Sequence, residues 1–464
     1  MRSSILTTTQ YDPFRSMVFA SVVLAIFAVE LILFMGPTQA YSYLPYYVPS
    51  FSVPKAIVSV FVIILLTLCI SKEMSPSSFC LWLLLTFVLV PMFVVYSCRN
   101  ESTYFMLMSA ASIAVASLIS SYAAILSFSF EKRTRLGSRL PELLVNGILI
   151  ATSVFILFMI FRHGFPGLGA LNFDDTYEIR TSSSYSGFES STLNLLGNYL
   201  LPLLIIYSAA KKNTKLVLLE SAFLLMVFLW TANKTWLLIL PLFCVFYYLV
   251  KKKTKLITYL LLFLAFLLVM FIGSLFWNRA NADAYSIGFD WCYSLGISRT
   301  FFLPGILKFE YFNFSEANSY VGLIDTYLEA IDPNATTSLY AIIPYPRQIA
   351  YYALGDYAMS YSWLDTGLFG NDYIHFGMLA FPLIVICLTA WLVVANSLKD
   401  SPAAMFVMLV SFFLAFLMRE KSATSIVFSV SGILFLIVLF VLLEASRSDK
   451  EEIFQTGMWG QHED

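Results

Sequence analysis

The sequence predicts an all-α integral membrane protein with about twelve transmembrane helices, and three observations carry that expectation. Hydrophobic residues make up 59% of the 464 positions and charged residues only 12%, against about 25% charged in soluble domains. The mean hydropathy is +0.78. The apolar residues are gathered into runs near the length that crosses a hydrocarbon core of about 30 Å as a helix, and the alternation of a β-barrel strand is absent. One polar interruption, 278–371, rich in Tyr, Asp, Arg, Pro and Gly, breaks the series.

In chain order the expected spans are 16–35, 55–70, 79–97, 104–129, 141–161, 192–209, 215–232, 235–250, 256–277, 374–395, 402–418 and 425–444. The first has no A-x-A-like cleavage site after it and is expected to be a retained helix rather than a signal peptide. The second is short for a full crossing. Alternate connections carry the basic residues: Arg2 and Arg15, then Lys132-Arg133-Thr134-Arg135 with Arg139. Lys211, Lys212 and Lys215 follow, then Lys251-Lys252-Lys253 with Lys255, Lys399, and the tail from Arg447 to Lys450. The intervening short connections are nearly free of Lys and Arg. The positive-inside rule therefore expects both termini in the cytoplasm.

Two sizeable loops then face outward, one near 162–192 and one at 278–373. The chain divides into nine helices with the medium loop (1–277), the long loop (278–373), three further helices (374–444) and a cytoplasmic tail (445–464). Neither loop has the length or hydrophobicity of a globular domain, so each is expected to fold down onto the bundle. The stretch 301–323 has enough aromatic residues for interfacial helices. No internal repeat is visible, which disfavours the common transporter architectures. The formal charge of −1 has no meaning for partners until it is divided by membrane side.

The six cysteines show no metal-ligand spacing. Cys69, Cys80, Cys244 and Cys387 fall in or beside apolar runs as packing residues. Cys98 and Cys292 both fall outside, where a disulfide is open to them. P-loop, dinucleotide, nucleophile-elbow and metal-helix motifs are missing, and the cytoplasmic connections are too short for a nucleotide-binding domain.

The outer side holds cations that topology does not require: Arg162, Arg180, Arg279, Arg299, Lys308 and Arg347. Guanidinium suits bidentate binding of phosphate, and several near the outer leaflet can hold a lipid diphosphate. Each can equally snorkel or pair with a neighbouring carboxylate. Outer carboxylates, including Glu189, Glu310, Glu316 and Asp372, are too many for sequence to choose a general base. Asp325 and Glu329, spaced i, i+4, would share a helix face. His375 lies where the long loop re-enters the membrane, placed as a proton acceptor, a diphosphate donor or a satisfied interfacial residue. Many of the 27 tyrosines, Tyr373 among them, lie outside; their faces suit sugar rings, and they also populate membrane interfaces generally. Glu30 is ionisable in the outer half of the first span and is a functional candidate on that ground; it equally fits a position at the water boundary if that span ends early.

Three segments carry a family resemblance. The first is Asp175-Thr176-Tyr177-Glu178-Ile179-Arg180, followed by Gly197-Asn198 and Pro202. The second is Ser298-Arg299-Thr300-Phe301-Phe302-Leu303-Pro304-Gly305, followed by Tyr311-Phe312-Asn313-Phe314-Ser315. The third is Thr366-Gly367-Leu368-Phe369-Gly370-Asn371-Asp372-Tyr373 with Phe376-Gly377. In this order, with twelve spans and one dominant outer loop, the chain resembles bacterial O-antigen or capsule repeat-unit polymerases of the Wzy type, over about 172–385. It departs from them in two respects. The Arg-x10-Gly pattern of some members is not met by Arg180, Arg299 or Arg347, and His375 stands where an amide is more usual.

The resemblance implies a GT-C-like fold and a reaction, without cofactor or metal, at the outer face of the inner membrane. The growing glycan on undecaprenyl diphosphate is donor, a lipid-linked repeat unit is acceptor, and a chain-length regulator is a further partner. Arg299 and His375 are then the catalytic candidates; Arg180, Arg279, Arg347 and Tyr373 are the substrate-binding ones. Stabilising the departing diphosphate should accelerate the reaction more than proton transfer does, since one preorganised donor is typically worth about 10²–10³-fold. A lipid-linked oligosaccharide flippase or other transporter, and an O-antigen ligase, are the alternatives.

Overall fold

The computed structural model describes residues 12–36, 49–125, 139–167, 185–231, 234–277, 289, 292–318 and 367–448. Arg180, Arg279 and Arg347 lie outside them, as do the Asp325/Glu329 pair and most of the long loop. No strand occurs among the described residues. The helices are α1 (Pro13–Met35), α2 (Val53–Cys69), α3 (Pro76–Arg99), α4 (Thr103–Ile125), α5 (Arg139–His163), α6 (Gly187–Ala210), α7 (Thr214–Thr231), α8 (Lys234–Lys251) and α9 (Leu256–Trp277). They continue with α10 (Leu303–Asn318), α11 (Gly370–Phe376), α12 (Ala380–Ser397), α13 (Ala404–Leu417), α14 (Ala423–Phe428) and α15 (Val430–Ser448). The first nine expected spans and the eleventh each overlap one helix; the tenth falls across α11 and α12, and the twelfth across α14 and α15. Among the described residues, eight helical stretches are long and apolar enough to cross a membrane; α2, α13 and parts of α8 and α15 are apolar but shorter.

α3 is apolar on every face, as a fully enclosed helix must be, and it is the axis of the bundle, buried along its whole length. α1, α2, α12 and α13 pack around it, while α12 lies along α4 and α9 along α1. Small polar side chains join the helices: the Ser59 and Ser97 hydroxyls are 3.1 Å apart, and Trp82 donates to the Ser71 carbonyl at 2.8 Å. Outward-facing side chains such as Phe61, Val154, Phe161 and Val269 are exposed and apolar, as lipid-facing surfaces require.

Proline shapes three helices in the same way. A π-helical turn occupies Leu85–Leu89 in α3, Leu196–Leu200 in α6 and Ser294–Phe302 ahead of α10, and each ends two residues before a proline: Pro91, Pro202 and Pro304. Proline cannot donate to the carbonyl four residues back and its ring crowds that carbonyl. Widening the preceding turn relieves the crowding without breaking the helix. Pro241 sits inside α8 without such a turn.

Both basic connections after α6 and α8 close by one device. Lys212 (φ 58°) and Lys253 (φ 53°) adopt the left-handed conformation. Asn213 N–H reaches Ser208 O and Thr254 N–H reaches Leu249 O, both at paired Schellman caps. The lysines there also complement the negative ends of the helix dipoles.

Three readings are corrected. The segment 294–318 is not a helix laid on the surface of the bundle: its π turn runs on into α10, and most of its described side chains are buried, packed against α3. Gly305 fits beside Pro91 and Val95, and Phe302 meets Phe34 edge-on with centroids 5.0 Å apart. The last span is not one helix, because the chain breaks at Ser429 between α14 and α15, where Gly432 packs on the Ile426 carbonyl with no room for a Cβ. The Cys98–Cys292 pairing is not made; both are free thiols, Cys98 buried and Cys292 exposed.

Candidate functional site at one end of the bundle

The site is built where α10, α11 and the turn 418–422 meet beside the start of α4. Its frame is Asp372, fully buried on the first turn of α11. Its carboxylate accepts from the Phe369 amide (3.2 Å), the Ala423 and Thr424 amides (3.3 and 2.9 Å) and the Thr424 hydroxyl (2.5 Å). One side chain thus satisfies orphan amides at the starts of both α11 and α14. Phe369 enters α11 at φ 81°, ψ −58°. Such γ-turn values are rare and strained for a bulky residue, costing about 1–3 kcal/mol. The bond from its amide to Asp372 helps to hold it there.

Within this frame lie two buried cations. Lys308, on α10, is 1% exposed, and its ammonium donates to the Pro304 and Arg419 carbonyls, both at 3.2 Å. Burial first, and the Arg419 guanidinium second, push Lys308 down to about 7; Glu420 and Asp372 act in the opposite direction. Arg419 is 2% exposed and lies over the Phe416 ring, 4.4 Å from its centroid. Its Nη2 donates to Glu420, while Nε and Nη1 are buried without an acceptor. Gly367 brings the chain against the Met418 and Arg419 carbonyls with no room for a Cβ, and Leu368 donates to Met418 O at 2.8 Å.

Alongside runs a second polar group. Arg99 pairs with Glu310 at 2.7 Å and with Glu101 at 3.3 Å, and the Asn313 amide donates to Glu101 at 3.1 Å. Burial pushes the Glu101 carboxyl up, and Arg99 and Asn313 pull it back. The Lys55 ammonium donates to the Glu101 carbonyl. These contacts tie α10 to the α3–α4 turn. At the ends of α5 and α6, Glu189 takes Arg162 at 3.0 Å and His163 at 3.1 Å.

Of the residues singled out from sequence, His375 and Tyr373 come together on α11. Tyr373 is 4% exposed and packed among Phe105, Phe312 and Phe381, and its hydroxyl donates to Glu316 at 2.7 Å. His375 is partly exposed on the last turn of α11, its ring beside Phe376. Arg299 lies in the π turn ahead of α10; its side chain is outside the described residues. Arg162 and Glu310, both candidates, are held in ion pairs.

Arg419 and the bracing role of Asp372 were missed. Arg419 stands in Met418-Arg419-Glu420-Lys421, which has the look of an ordinary solvated turn. The one signal in the sequence was a breach of pattern, a cation in a connection otherwise expected to lack them. Among the described residues no cluster of His, Cys, Asp and Glu has metal-binding geometry. Chemically, the arrangement offers guanidinium and ammonium donors in a low-dielectric setting, suited to an anion. No family model, curated protein or solved structure matches this chain.

Proposed function

We propose that the chain is a GT-C-like, twelve-span glycosyltransferase of the bacterial inner membrane, both termini cytoplasmic, that polymerises O-antigen or a related surface polysaccharide. It transfers the growing glycan from undecaprenyl diphosphate to a hydroxyl of a lipid-linked repeat unit at the periplasmic face. Arg299, with Arg180, Arg279 and Arg347, would stabilise the leaving diphosphate, and His375 would assist the proton transfer. A chain-length regulator would act beside it.

The observation that carries this reading is the course of 294–318. The long polar interruption sends a helix back into the bundle, where it meets α11 and the 418–422 turn and buries Lys308 and Arg419. Cations enclosed within a bundle of apolar helices support a role in handling an anionic group. The family resemblance marks the same segments, 298–305 and 366–377.

Deletion of the gene followed by glycolipid analysis tests it. Surface lipopolysaccharide carrying a single repeat unit is the expected product; bare core with completed units trapped inside would overturn polymerisation in favour of flipping, and bare core with polymer accumulated outside in favour of ligation. One observation favours transport as a second reading. Glu30 in α1 and Glu220 in α7 are both fully buried; neither Glu30 oxygen has a partner, and Glu220 Oε2 has none. Buried carboxylates inside spans are a common feature of ion-coupled carriers.

A further inference from the structure

We propose that Lys308 and Arg419 together form a receptor for a phosphate-type anion, either the diphosphate headgroup of a lipid or a free diphosphate of the same chemistry. The inference rests on the reading above only in expecting a lipid-linked diphosphate as donor. Its basis is an imbalance in hydrogen bonding. Buried guanidinium groups are ordinarily satisfied, because each unpaired donor forfeits its hydration. Arg419 is 2% exposed, yet its Nε and Nη1 have no acceptor.

The neighbouring carboxylates are already engaged. Glu420 takes Nη2 of Arg419. Asp372 accepts four bonds from Phe369, Ala423 and Thr424. Glu310 takes Arg99. Lys308 is a second cation beside the first, and its two carbonyl acceptors leave the third proton of the ammonium for another acceptor. Two cations placed together in a buried setting repel, and burial together with Arg419 holds Lys308 down to about 7. A multiply charged anion relieves both deficits at once: its several oxygens accept from the guanidinium edge and from the ammonium, and its charge offsets the repulsion. Glu420 is the built-in counter-ion that such a ligand would displace or share. Both cations are covered in this structure, so the anion enters by local opening.

The test is a binding titration of the full-length protein in detergent, with inorganic diphosphate, farnesyl diphosphate and farnesol as separate probes. Diphosphate-bearing probes should bind and farnesol alone should not compete. Arg419→Gln and Lys308→Met should each weaken binding by about tenfold or more, in line with the strength of charge-assisted bonds. Farnesyl diphosphate binding much tighter than inorganic diphosphate assigns the site to a lipid headgroup; equal affinities assign it to the free anion. Either result supports the receptor. The proposal falls if the wild type binds neither diphosphate, or if both variants keep their melting temperature and bind as tightly as wild type. Should those variants not fold, Glu420→Gln decides: removing the internal counter-ion should tighten binding several-fold, and unchanged or weaker binding refutes the proposal. If the deletion strain excludes polymerisation while binding holds, the receptor stands without the polymerase. If single-repeat lipopolysaccharide appears while binding fails, only the receptor is lost.

Discussion

Asp372 and Lys308 show how single residues decide the architecture of the site. Asp372 is the shared cap of α11 and α14. Asp372→Asn keeps the shape but removes the charge and turns one acceptor oxygen into a donor facing amide donors. A charge-assisted bond is worth about 1.5–3 kcal/mol, so a loss of about 3 kcal/mol is expected, measured as a lowered unfolding midpoint in detergent. For Lys308 the consequence is pH dependence. Its folded-state value of about 7 lies below the ordinary value of about 10.4. Below pH 7 the ammonium is charged and anion binding is at full strength. Above pH 7 binding must take up a proton, so affinity should fall by up to about tenfold per pH unit. Arg419 disfavours that proton, while Glu420 and Asp372 favour it. A titration between pH 6.5 and 9 checks this, with Lys308→Met expected to be flat over the same range. Residue-level detail of this kind was only half legible in the sequence. Lys308 stands out because it interrupts an aromatic stretch in the long polar interruption. Arg419 does not, because an arginine flanked by Glu420 and Lys421 resembles any solvated turn until the chain closes over it.

The elements divide along the same line. Apolar runs announced α1 to α9 because a helix facing lipid has to be apolar over about 20 residues. The helix 294–318 escaped that rule. It carries Lys308, Glu310, Asn313 and Glu316 among Phe301, Phe302, Ile306, Phe309 and Phe312, and an amphipathic pattern cannot say whether its polar side meets headgroups or the polar partners Arg99, Arg419 and Tyr373. The π turns were hidden for a related reason: proline marks where a bond is missing, and packing chooses between a kink and a widened turn. The junction between elements is most exacting at Gly367. A Cβ there would overlap the Met418 and Arg419 carbonyls. Gly367→Ala must therefore push Leu368 away from Met418 O and shift the turn that carries Arg419. The expected outcome is a destabilisation of about 1–3 kcal/mol, as for overpacking. Anion binding should be lost to the same extent as in Arg419→Gln, a pairing that unfolding and titration measurements on the same preparation would test.

At the scale of the whole molecule, the enclosed cations at one end of the bundle favour the proposed polymerase, whereas Glu30 and Glu220 favour movement of a substrate or ion through the bundle. The two readings part over what those carboxylates do. Glu30 is buried in the bundle one turn before Leu33, whose carbonyl accepts the Tyr293 hydroxyl at 2.9 Å. Glu220 is joined to the Ser208 hydroxyl at 2.9 Å, which ties α7 to α6. Both positions sit where helices are fastened together, and neither belongs to the polar group around Asp372. A buried carboxyl that serves packing tolerates its neutral isostere; a carboxyl that carries protons or binds a cation in transit does not. Glu30→Gln and Glu220→Gln, separately and together, should therefore leave the distribution of polysaccharide chain lengths close to wild type at equal protein level, read on a gel of surface lipopolysaccharide from a complemented deletion strain. Loss of all repeat units, leaving bare core, would show that the carboxylates drive transport, and the polymerase reading would fall with that result.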